Sequence, residues 1–345
     1  MKTIKVGING FGRIGRAFLK VAWERPEIEI VAVNDLGSLE NIAYLLKYDT
    51  VYGQAPFAVE ENGAALIISG KEVRFLSEKN PANLPWKQLD IDVVVESTGL
   101  FDEYNKAKAH LDAGAKRVVI SAPVKTEIEG LGATVLMGLN EDRFGSCPIT
   151  NNASCTTVSA SPIIAILDET LGIEKAMLTT THAYTATQSI VDSPAPHGGK
   201  KSDMRRGRAA AQNIVPSSTG SAIAVTKAYK KLEGKFDGIA LRVPVAAGSI
   251  SDITFVASRN TTVEEVNNIL RKAARSERWK GIFDITEEQL VSSDIIGNRH
   301  GSIAQLDMTR VVDGNLVKVM GWYDNEMGYT YTLVDHVIKT GNTIK

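Results

Sequence analysis

Residues 7–16 read GINGFGRIGR, and this stretch limits the fold more tightly than any other. TIKVGI (3–8) is a short apolar strand pattern, and RIGRAFLKVAW (13–23) carries apolar residues at helical spacing. Gly10, Gly12 and Gly15 therefore form G-x-G-x-x-G on a strand-to-helix turn, the setting in which that spacing binds a dinucleotide. Gly10 permits the tight turn, Gly12 lets the backbone approach a diphosphate, and Gly15 lets the helix pack close to the strand. The diphosphate is expected at the helix N-terminus, where free N–H groups and the helix dipole favour an anion. A second strand, EIVAVN (29–34), ends at Asp35, 20 residues beyond Gly15. Its carboxylate suits the adenosine ribose hydroxyls and repels a 2′-phosphate, which favours NAD over NADP. The bland alternative is a structural turn with Asp35 on the surface, and the agreement of strand, helix and acid argues against it.

The rest of the first half keeps this rhythm. ENIAYLLKY (40–48) is helical, 59–78 resembles β-ribbons with Asn-Gly and Ser-Gly turns, and IDVVVEST (91–98), a helix through 104–113 and RVVISAP (117–123) follow. Strands alternating with helices imply a parallel sheet covered on both faces. The second half changes character. A long helix follows Cys155, strand patterns run over 176–185, 238–244, 250–258 and 316–324, and helices over 219–231 and 262–275. Thr262 and Glu265 have the spacing of a capping box. The expected fold class is an α/β Rossmann-type, doubly wound nucleotide-binding domain (1–154) plus an α+β catalytic domain with a mainly antiparallel sheet (155–328). A C-terminal helix at 329–345 is expected to pack back on the first domain.

Composition removes several function classes. A chain of 345 residues is too long for one ordinary core. With 39 Lys+Arg against 40 Asp+Glu, no charge excess points to nucleic acid or a membrane surface as partner. No apolar run approaches the roughly 20 residues that span a bilayer, and the N-terminus lacks the apolar core of a signal peptide. Two cysteines, Cys147 and Cys155, make no disulfide framework, so reduced thiols and a cytoplasmic location are expected. The five histidines show no Cys/His spacing of the metal-site kind, and no metal is expected.

NNASCTTVSAS (151–161) sets Cys155 among residues that cap helices: Asn152, Ser154, Thr156 and Thr157. Free amides and the dipole at a helix start lower a thiol pKa, although Pro162 in the early turns is expected to bend or delay that start. A nucleophilic thiol needs a base. His182, 27 residues downstream at a strand end, is the candidate, while His110, His197, His300 and His336 read as packed or surface residues. Cys147 reads as structural, and a buried structural role is the alternative for Cys155 as well.

These residues resemble the phosphorylating glyceraldehyde-3-phosphate dehydrogenases nearly end to end. The resemblance rests on NGFGRIGR, Asn34-Asp35, ESTG (96–99), ISAP (120–123), NASCTT, HAYTATQ, RGRAAAQNIVPSSTG, ALRVPV and WYDNEMGY. It implies NAD-dependent oxidation of glyceraldehyde 3-phosphate to 1,3-bisphosphoglycerate in glycolysis or gluconeogenesis, through a Cys155 hemithioacetal and thioester, with His182 as base. It further implies that Thr185 and Arg242 bind the substrate phosphate, and that Ser154, Thr156, Thr219, Gly220 and Arg206 bind inorganic phosphate. The cofactor would meet Gly10, Phe11, Gly12, Arg13, Ile14, Asp35, Lys79, Ser97, Thr98, Ser121, Asn325 and Tyr329. A homotetramer is implied too.

The chain departs from the family pattern at Asn151, Val158 and Met327, usually Ser, Asn and Trp, and by about five extra residues resembling HGGKK between Asp192 and Arg205. Lys200, Lys201, Arg205, Arg206 and Arg208 make that segment basic. A solvated loop in which only Arg206 meets phosphate is the simplest reading, and a changed subunit interface is its rival. An erythrose-4-phosphate dehydrogenase and a non-catalytic redox-sensing dinucleotide-binding protein remain alternative functions. Tyr184-Thr185 and Ser218-Thr219-Gly220 favour the triose substrate over the first. His182, Thr185, Arg242 and Asn325 together argue against the second, since sensing needs only the thiol.

Overall fold

The computed structural model describes residues 3–195 and 203–344. His197, Lys200, Lys201 and the HGGKK segment lie outside the described residues, as does Lys345. The chain forms two compact units: Met1–Val135, Glu141–Ala153 and Thr330–Lys345 make the first, and Leu136–Asn140 with Ser154–Tyr329 make the second.

The first unit is built on a nine-stranded sheet. Its centre is Ile4–Asn9, paired in parallel with Ile28–Asn34 on one side and Val93–Glu96 on the other. All four residues of Val93–Glu96 are buried, as expected of a strand covered on both faces. Trp86, Ile91, Val94 and Ala32 form a core cluster below it, and the Trp86 ring lies so close to Gly7 that a Cβ there would be 2.9 Å from it. Beyond Ile28–Asn34 the sheet continues through Lys71–Leu76, Ala65–Ile68 and Val59–Glu61, the last two pairings antiparallel, in the stretch read as β-ribbons. At the other edge stand Arg117–Ile120, Ile149–Asn151 and Gly132–Thr134. The last two were not anticipated, because three residues carry no usable period.

The second unit holds a seven-stranded mixed sheet in the order Val215–Ser218, Phe236–Val243, Ile173–Ala183, Ser249–Ala257, Leu316–Tyr323, Ser302–Val312, Phe283–Thr286. Four of its six pairings are antiparallel. Ser302–Val312 is eleven residues long yet was missed in the sequence. Its register slips between Gln305 and Arg310, and Asp307 and Met308 are both exposed there, so the alternation breaks midway. Helices Cys155–Leu171 and Val263–Ala274 pack on this sheet, and Thr262 caps the latter by accepting a hydrogen bond from the Glu265 N–H.

Pro162 does not delay the helix start. The helix begins at Cys155 and runs through the proline to Leu171. Proline leaves the Val158 carbonyl without its usual N–H partner, and the Ser161 hydroxyl donates to that carbonyl at 3.5 Å.

Helix Met327–Gly341 ends the fold, and its residues from Thr330 onward group with the first unit. His336 on this helix is wholly buried. Its Nδ1 faces Asn152 Oδ1 at 3.2 Å and its Nε2 faces Thr150 Oγ1 at 2.7 Å. An amide oxygen only accepts, so Nδ1 carries the proton and Nε2 accepts from the threonine. Burial, with the Lys339 charge, holds its pKa down at about 3. Such a group contributes stability above its unfolded pKa, near 6.5, and that stability is lost as pH falls toward 3. The denaturant midpoint is therefore expected to fall as pH is lowered through that window, and His336→Gln should flatten the decline; an unchanged slope in the variant would refute the assignment.

Candidate active site

In the first unit, the glycine turn borders a cleft of about 310 Å³ lined by Gly10, Gly12, Asp35, Lys79, Ser97 and Thr98, with Asn9, Asn34 and Glu78 among its other walls. Gly10 has φ 90°, and a Cβ there would lie 2.6 Å from the Thr98 nitrogen. At Gly15 a Cβ would meet the Gly10 carbonyl at 2.2 Å, so helix and turn touch backbone to backbone. Gly12 is different: nothing lies within 4 Å of where its Cβ would be. That open flank sits at the start of helix Arg13–Ala22, which no side chain caps among the described residues. The first N–H groups of such a helix, Ile14 among them, are donors without intrahelical partners.

The Asp35 carboxylate stands beside this turn, one oxygen accepting from the Phe11 N–H at 2.7 Å and the other from the Gly37 N–H at 2.8 Å. Phe11 contributes only backbone here, for its ring is wholly buried. Arg13 points elsewhere. Its guanidinium pairs with Asp49 at 3.1 Å and lies over the Tyr52 ring. The Ser97 hydroxyl donates to the Gly10 carbonyl at 2.6 Å, and Ser121 is tied by its N–H to the Glu96 carbonyl at 2.9 Å.

Beneath the cleft lies a polar network that the sequence reading did not assign. The buried Glu96 carboxylate accepts from Asn9 Nδ2 at 2.6 Å, from the Thr98 N–H at 2.8 Å and from the Thr98 hydroxyl at 2.5 Å. It also meets His110 Nε2 at 3.0 Å. Trp86 Nε1, which can only donate, lies 3.0 Å from His110 Nδ1, so Nε2 holds the imidazole proton and gives it to Glu96. Asn9 Oδ1 in turn accepts from Asn34 Nδ2 at 2.7 Å, and Asn34 Oδ1 accepts from the Glu78 N–H at 2.8 Å. One buried acid thus fixes Asn9 and Thr98, and through Asn9 it orders Asn34, three walls of the cleft. The available signal was an acid closing the otherwise apolar strand VVVE.

In the second unit, Ser154 caps helix Cys155–Leu171, its hydroxyl accepting from the Thr157 N–H at 3.2 Å. The residue before it, Ala153, holds φ 53°, a left-handed conformation unusual for a side-chain-bearing residue. Ser221 joins this cap to a second helix start. Its hydroxyl lies 2.9 Å from Ser154 Oγ and 2.8 Å from Thr219 Oγ1, and Gly220 is the N-cap of helix Ser221–Ala228. Two helix N-termini and three hydroxyls therefore converge, a donor set suited to an oxyanion. Ser221 was missed because a serine after Thr-Gly has no distinguishing pattern.

Cys155 Sγ lies 3.3 Å from His182 Nε2. His182 is the penultimate residue of strand Ile173–Ala183 and is in register with Arg242 on the adjacent parallel strand. Arg242 Nη1 reaches 2.5 Å from His182 Nδ1 and 3.3 Å from the Ala183 carbonyl. Tyr323 supports both sides: its hydroxyl is 2.8 Å from Thr156 Oγ1 and 2.7 Å from Thr180 Oγ1, and its ring meets the His182 ring edge-on. The Thr156 hydroxyl is thus engaged within the core. Thr185 Oγ1 pairs with Thr187 Oγ1 at 2.9 Å, and the charge of Arg206, on the short helix Met204–Gly207, is felt at Arg242. Asn325 Oδ1 accepts from the Ser249 hydroxyl at 2.9 Å, while Tyr329 is buried.

Electrostatics here run against the sequence expectation of a lowered thiol pKa. Burial pushes the Cys155 thiol up, outweighing the opposing pull of Arg242 and of the helix start. Burial and then the Arg242 charge hold His182 down at about 3. Burial thus opposes charge on both members of the pair.

Of the departures from pattern, Asn151 is buried and tied down. Its Nδ2 donates to the Tyr104 hydroxyl at 2.6 Å and to Thr134 Oγ1 at 3.0 Å, and its Oδ1 accepts from the Ala153 N–H at 3.0 Å. Val158 packs inside its helix and Met327 is half-buried at a helix start.

Residues 4–104 match the model of the glyceraldehyde 3-phosphate dehydrogenase NAD-binding domain, and residues 154–325 match that of the C-terminal domain. Glyceraldehyde-3-phosphate dehydrogenase of Streptomyces coelicolor is 45% identical over 345 residues, covering 99% of this chain and 100% of the relative. That of Geobacillus stearothermophilus is 45% identical over 335 residues, with 96% and 97% covered. The chain belongs to the glyceraldehyde-3-phosphate dehydrogenase family. The glycine turn thus lies in the family's NAD-binding domain, and Cys155, His182 and Arg242 lie in its C-terminal domain. Bacillus subtilis glyceraldehyde-3-phosphate dehydrogenase 1 is 44% identical over 335 residues.

Glu96→Gln keeps the shape of the network but replaces an acceptor oxygen by a donor facing other donors. It is expected to weaken NAD binding roughly tenfold, about 1.4 kcal/mol, measured by calorimetric titration; unchanged affinity in a folded variant would remove Glu96 from the cofactor site.

Proposed function

We propose that this chain catalyses the NAD-dependent phosphorylating oxidation of D-glyceraldehyde 3-phosphate to 1,3-bisphosphoglycerate, with Cys155 as nucleophile and His182 as base. The observation that carries this reading is the 3.3 Å contact between Sγ and Nε2, beside a clustered set of anion donors.

The cofactor's residues fit on physical grounds. The open flank at Gly12 admits a diphosphate to uncapped helix N–H groups, and Asp35 offers a carboxylate to ribose hydroxyls. NAD, when bound, supplies the acceptor for the substrate's hydride. Lys79, Ser97 and Thr98 line the same cleft. In the second unit, the Ser249 hydroxyl holds Asn325 Oδ1, leaving the amide nitrogen as the end that can donate to a nicotinamide carboxamide.

The chain's own chemistry then follows in order. His182 Nε2 takes the thiol proton, and Sγ attacks the aldehyde carbon to form a hemithioacetal. The Cys155 N–H, at the helix start, holds the oxyanion while it forms. His182 returns the thiol proton to the oxyanion to give the hemithioacetal hydroxyl, and, neutral again, removes it as the carbon is oxidised to the thioester. Inorganic phosphate, held by Ser154, Thr219, the Gly220 backbone and Arg206, attacks the thioester carbonyl and releases the acyl phosphate. Thr185 and Arg242 hold the substrate's own phosphate. Arg242 suits that role because no carboxylate among the described residues forms an ion pair with it, although burial weighs on its charge.

Assembly as a homotetramer belongs to the same reading. Met177 and Ile239 project from adjacent strands of the seven-stranded sheet, 57% and 48% exposed, the kind of apolar surface that partner subunits cover. Both cysteines are unpaired, which suits the cytoplasm. No helix among the described residues is long and apolar enough to cross a membrane.

NADH absorbance with glyceraldehyde 3-phosphate, with and without phosphate or arsenate, tests the function. Anion-dependent turnover is expected; NAD binding without turnover would instead favour a redox-sensing role. Cys155→Ala should abolish turnover with NAD affinity nearly unchanged, and His182→Asn should lower kcat by roughly 10²–10⁴. Light scattering is expected to give four times the 37.3 kDa chain mass, and a monomer at micromolar concentration would exclude the tetramer.

A further inference from the structure

Ser249 opens strand Ser249–Ala257 and is in register with Tyr323, two residues before Asn325. Its hydroxyl has two hydrogen-bond partners among the described residues, and the side chain is 1% exposed. The Ala183 N–H, at 3.1 Å, can only donate, so the serine oxygen accepts from it. The single hydroxyl proton is then left for Asn325, at 2.9 Å, where the amide oxygen receives it. Turning the amide over would set its NH₂ against the serine and leave the hydroxyl proton buried without an acceptor, at a cost. A backbone N–H on one strand therefore decides, through a serine on the next, which end of the Asn325 amide remains for a ligand.

Two further observations bear on that remaining end. Asn325 is 5% exposed, and its Nδ2 has no hydrogen-bond partner among the described residues. An amide NH₂ in so buried a residue calls for an acceptor from outside the chain. The backbone around it is also fixed. The wholly buried Asp324 accepts from the Glu326 and Met327 N–H groups through Oδ1, each at 2.9 Å, and from the Gly297 N–H through Oδ2 at 2.7 Å. With the turn anchored on both sides, the freedom left to the amide is the flip that Ser249 opposes.

We propose that Ser249 is a specificity-determining residue for the cofactor: by holding the Asn325 amide with its nitrogen free, it selects dinucleotides whose pyridine ring carries a hydrogen-bond acceptor at the 3-position. Ser249 acts through Asn325 and is a positioning residue. A carboxamide fits because its oxygen can accept from Nδ2, whereas a group that only donates would meet another donor. This rests on the assignment of Asn325 to the nicotinamide end of the cofactor given above.

The test is calorimetric titration of the full-length chain with two dinucleotides that differ at this one point. The first carries 3-acetylpyridine, which keeps the carbonyl oxygen and lacks the amide NH₂. The second carries 3-aminopyridine, which presents N–H donors in its place. The first is expected to bind roughly tenfold tighter, the scale of one buried donor left unsatisfied. In Ser249→Ala that preference should fall to about threefold or less, while Ser249→Thr, which keeps the hydroxyl, should retain it. Adding Asn325→Ala to Ser249→Ala should change the ratio little further, since the serine acts through the amide. A serine with a merely structural role would lower both affinities alike and leave the ratio intact. Asn325→Asp keeps one oxygen for the serine and offers the other to the ligand, so it should reverse the preference, and it decides the matter where Ser249→Ala does not fold. An unchanged ratio in folded Ser249→Ala, or no reversal in Asn325→Asp, would overturn the proposal. If glyceraldehyde 3-phosphate is oxidised with phosphate and both dinucleotides bind while the ratio stays fixed, only the role of Ser249 falls. If neither dinucleotide binds and no aldehyde is oxidised, the functional assignment itself falls.

Discussion

A thiol and an imidazole 3.3 Å apart, each pushed toward its neutral form by burial, form the contact on which the chemistry of this chain depends. Neither group reaches this state through its own neighbours in sequence. Cys155 is carried by the first turn of a buried helix, and His182 by the end of a strand in the sheet beneath it. Burial raises the thiol and lowers the imidazole, so the site stores a reluctance to separate charge. Arg242 adds to that reluctance, for its charge lies against the imidazole and beside the Ala183 carbonyl. A low-dielectric pocket makes each such proton position matter more than it would in water.

The nucleotide cleft follows the same logic with different groups. The glycine turn leaves backbone donors uncovered, and the residues around it are aligned by one buried carboxylate. Glu96 is tolerable there because four donors satisfy it: two from Thr98, one from Asn9 and one from His110. Trp86 completes the arrangement by choosing the His110 tautomer. In both units, then, an aromatic residue holds a histidine whose neighbours set its proton: Trp86 for His110 and Tyr323 for His182.

Much of this was legible in the chain. Apolar strands beside helical spacing gave the nucleotide-binding sheet, and capping residues gave the position of Cys155. What escaped had a physical reason in each case. Ser302–Val312 was hidden because its register slips and exposes Asp307 and Met308 in mid-strand. Ser221, Glu96 and Tyr323 escaped because their roles exist only once separate segments meet. Arg13 has the position of a cofactor ligand in sequence, and yet its guanidinium pairs with Asp49, 36 residues on.

The sequence by itself determined the glycine turn, the acid at the end of the second strand, the capped cysteine and the family, because each depends on residues close together in the chain or on ordered motifs. Only the tertiary structure decided the protonation of the thiol–imidazole pair and the placement of Arg242 against it. Those depend on desolvation and on strand register, and both arise when segments far apart in sequence pack together.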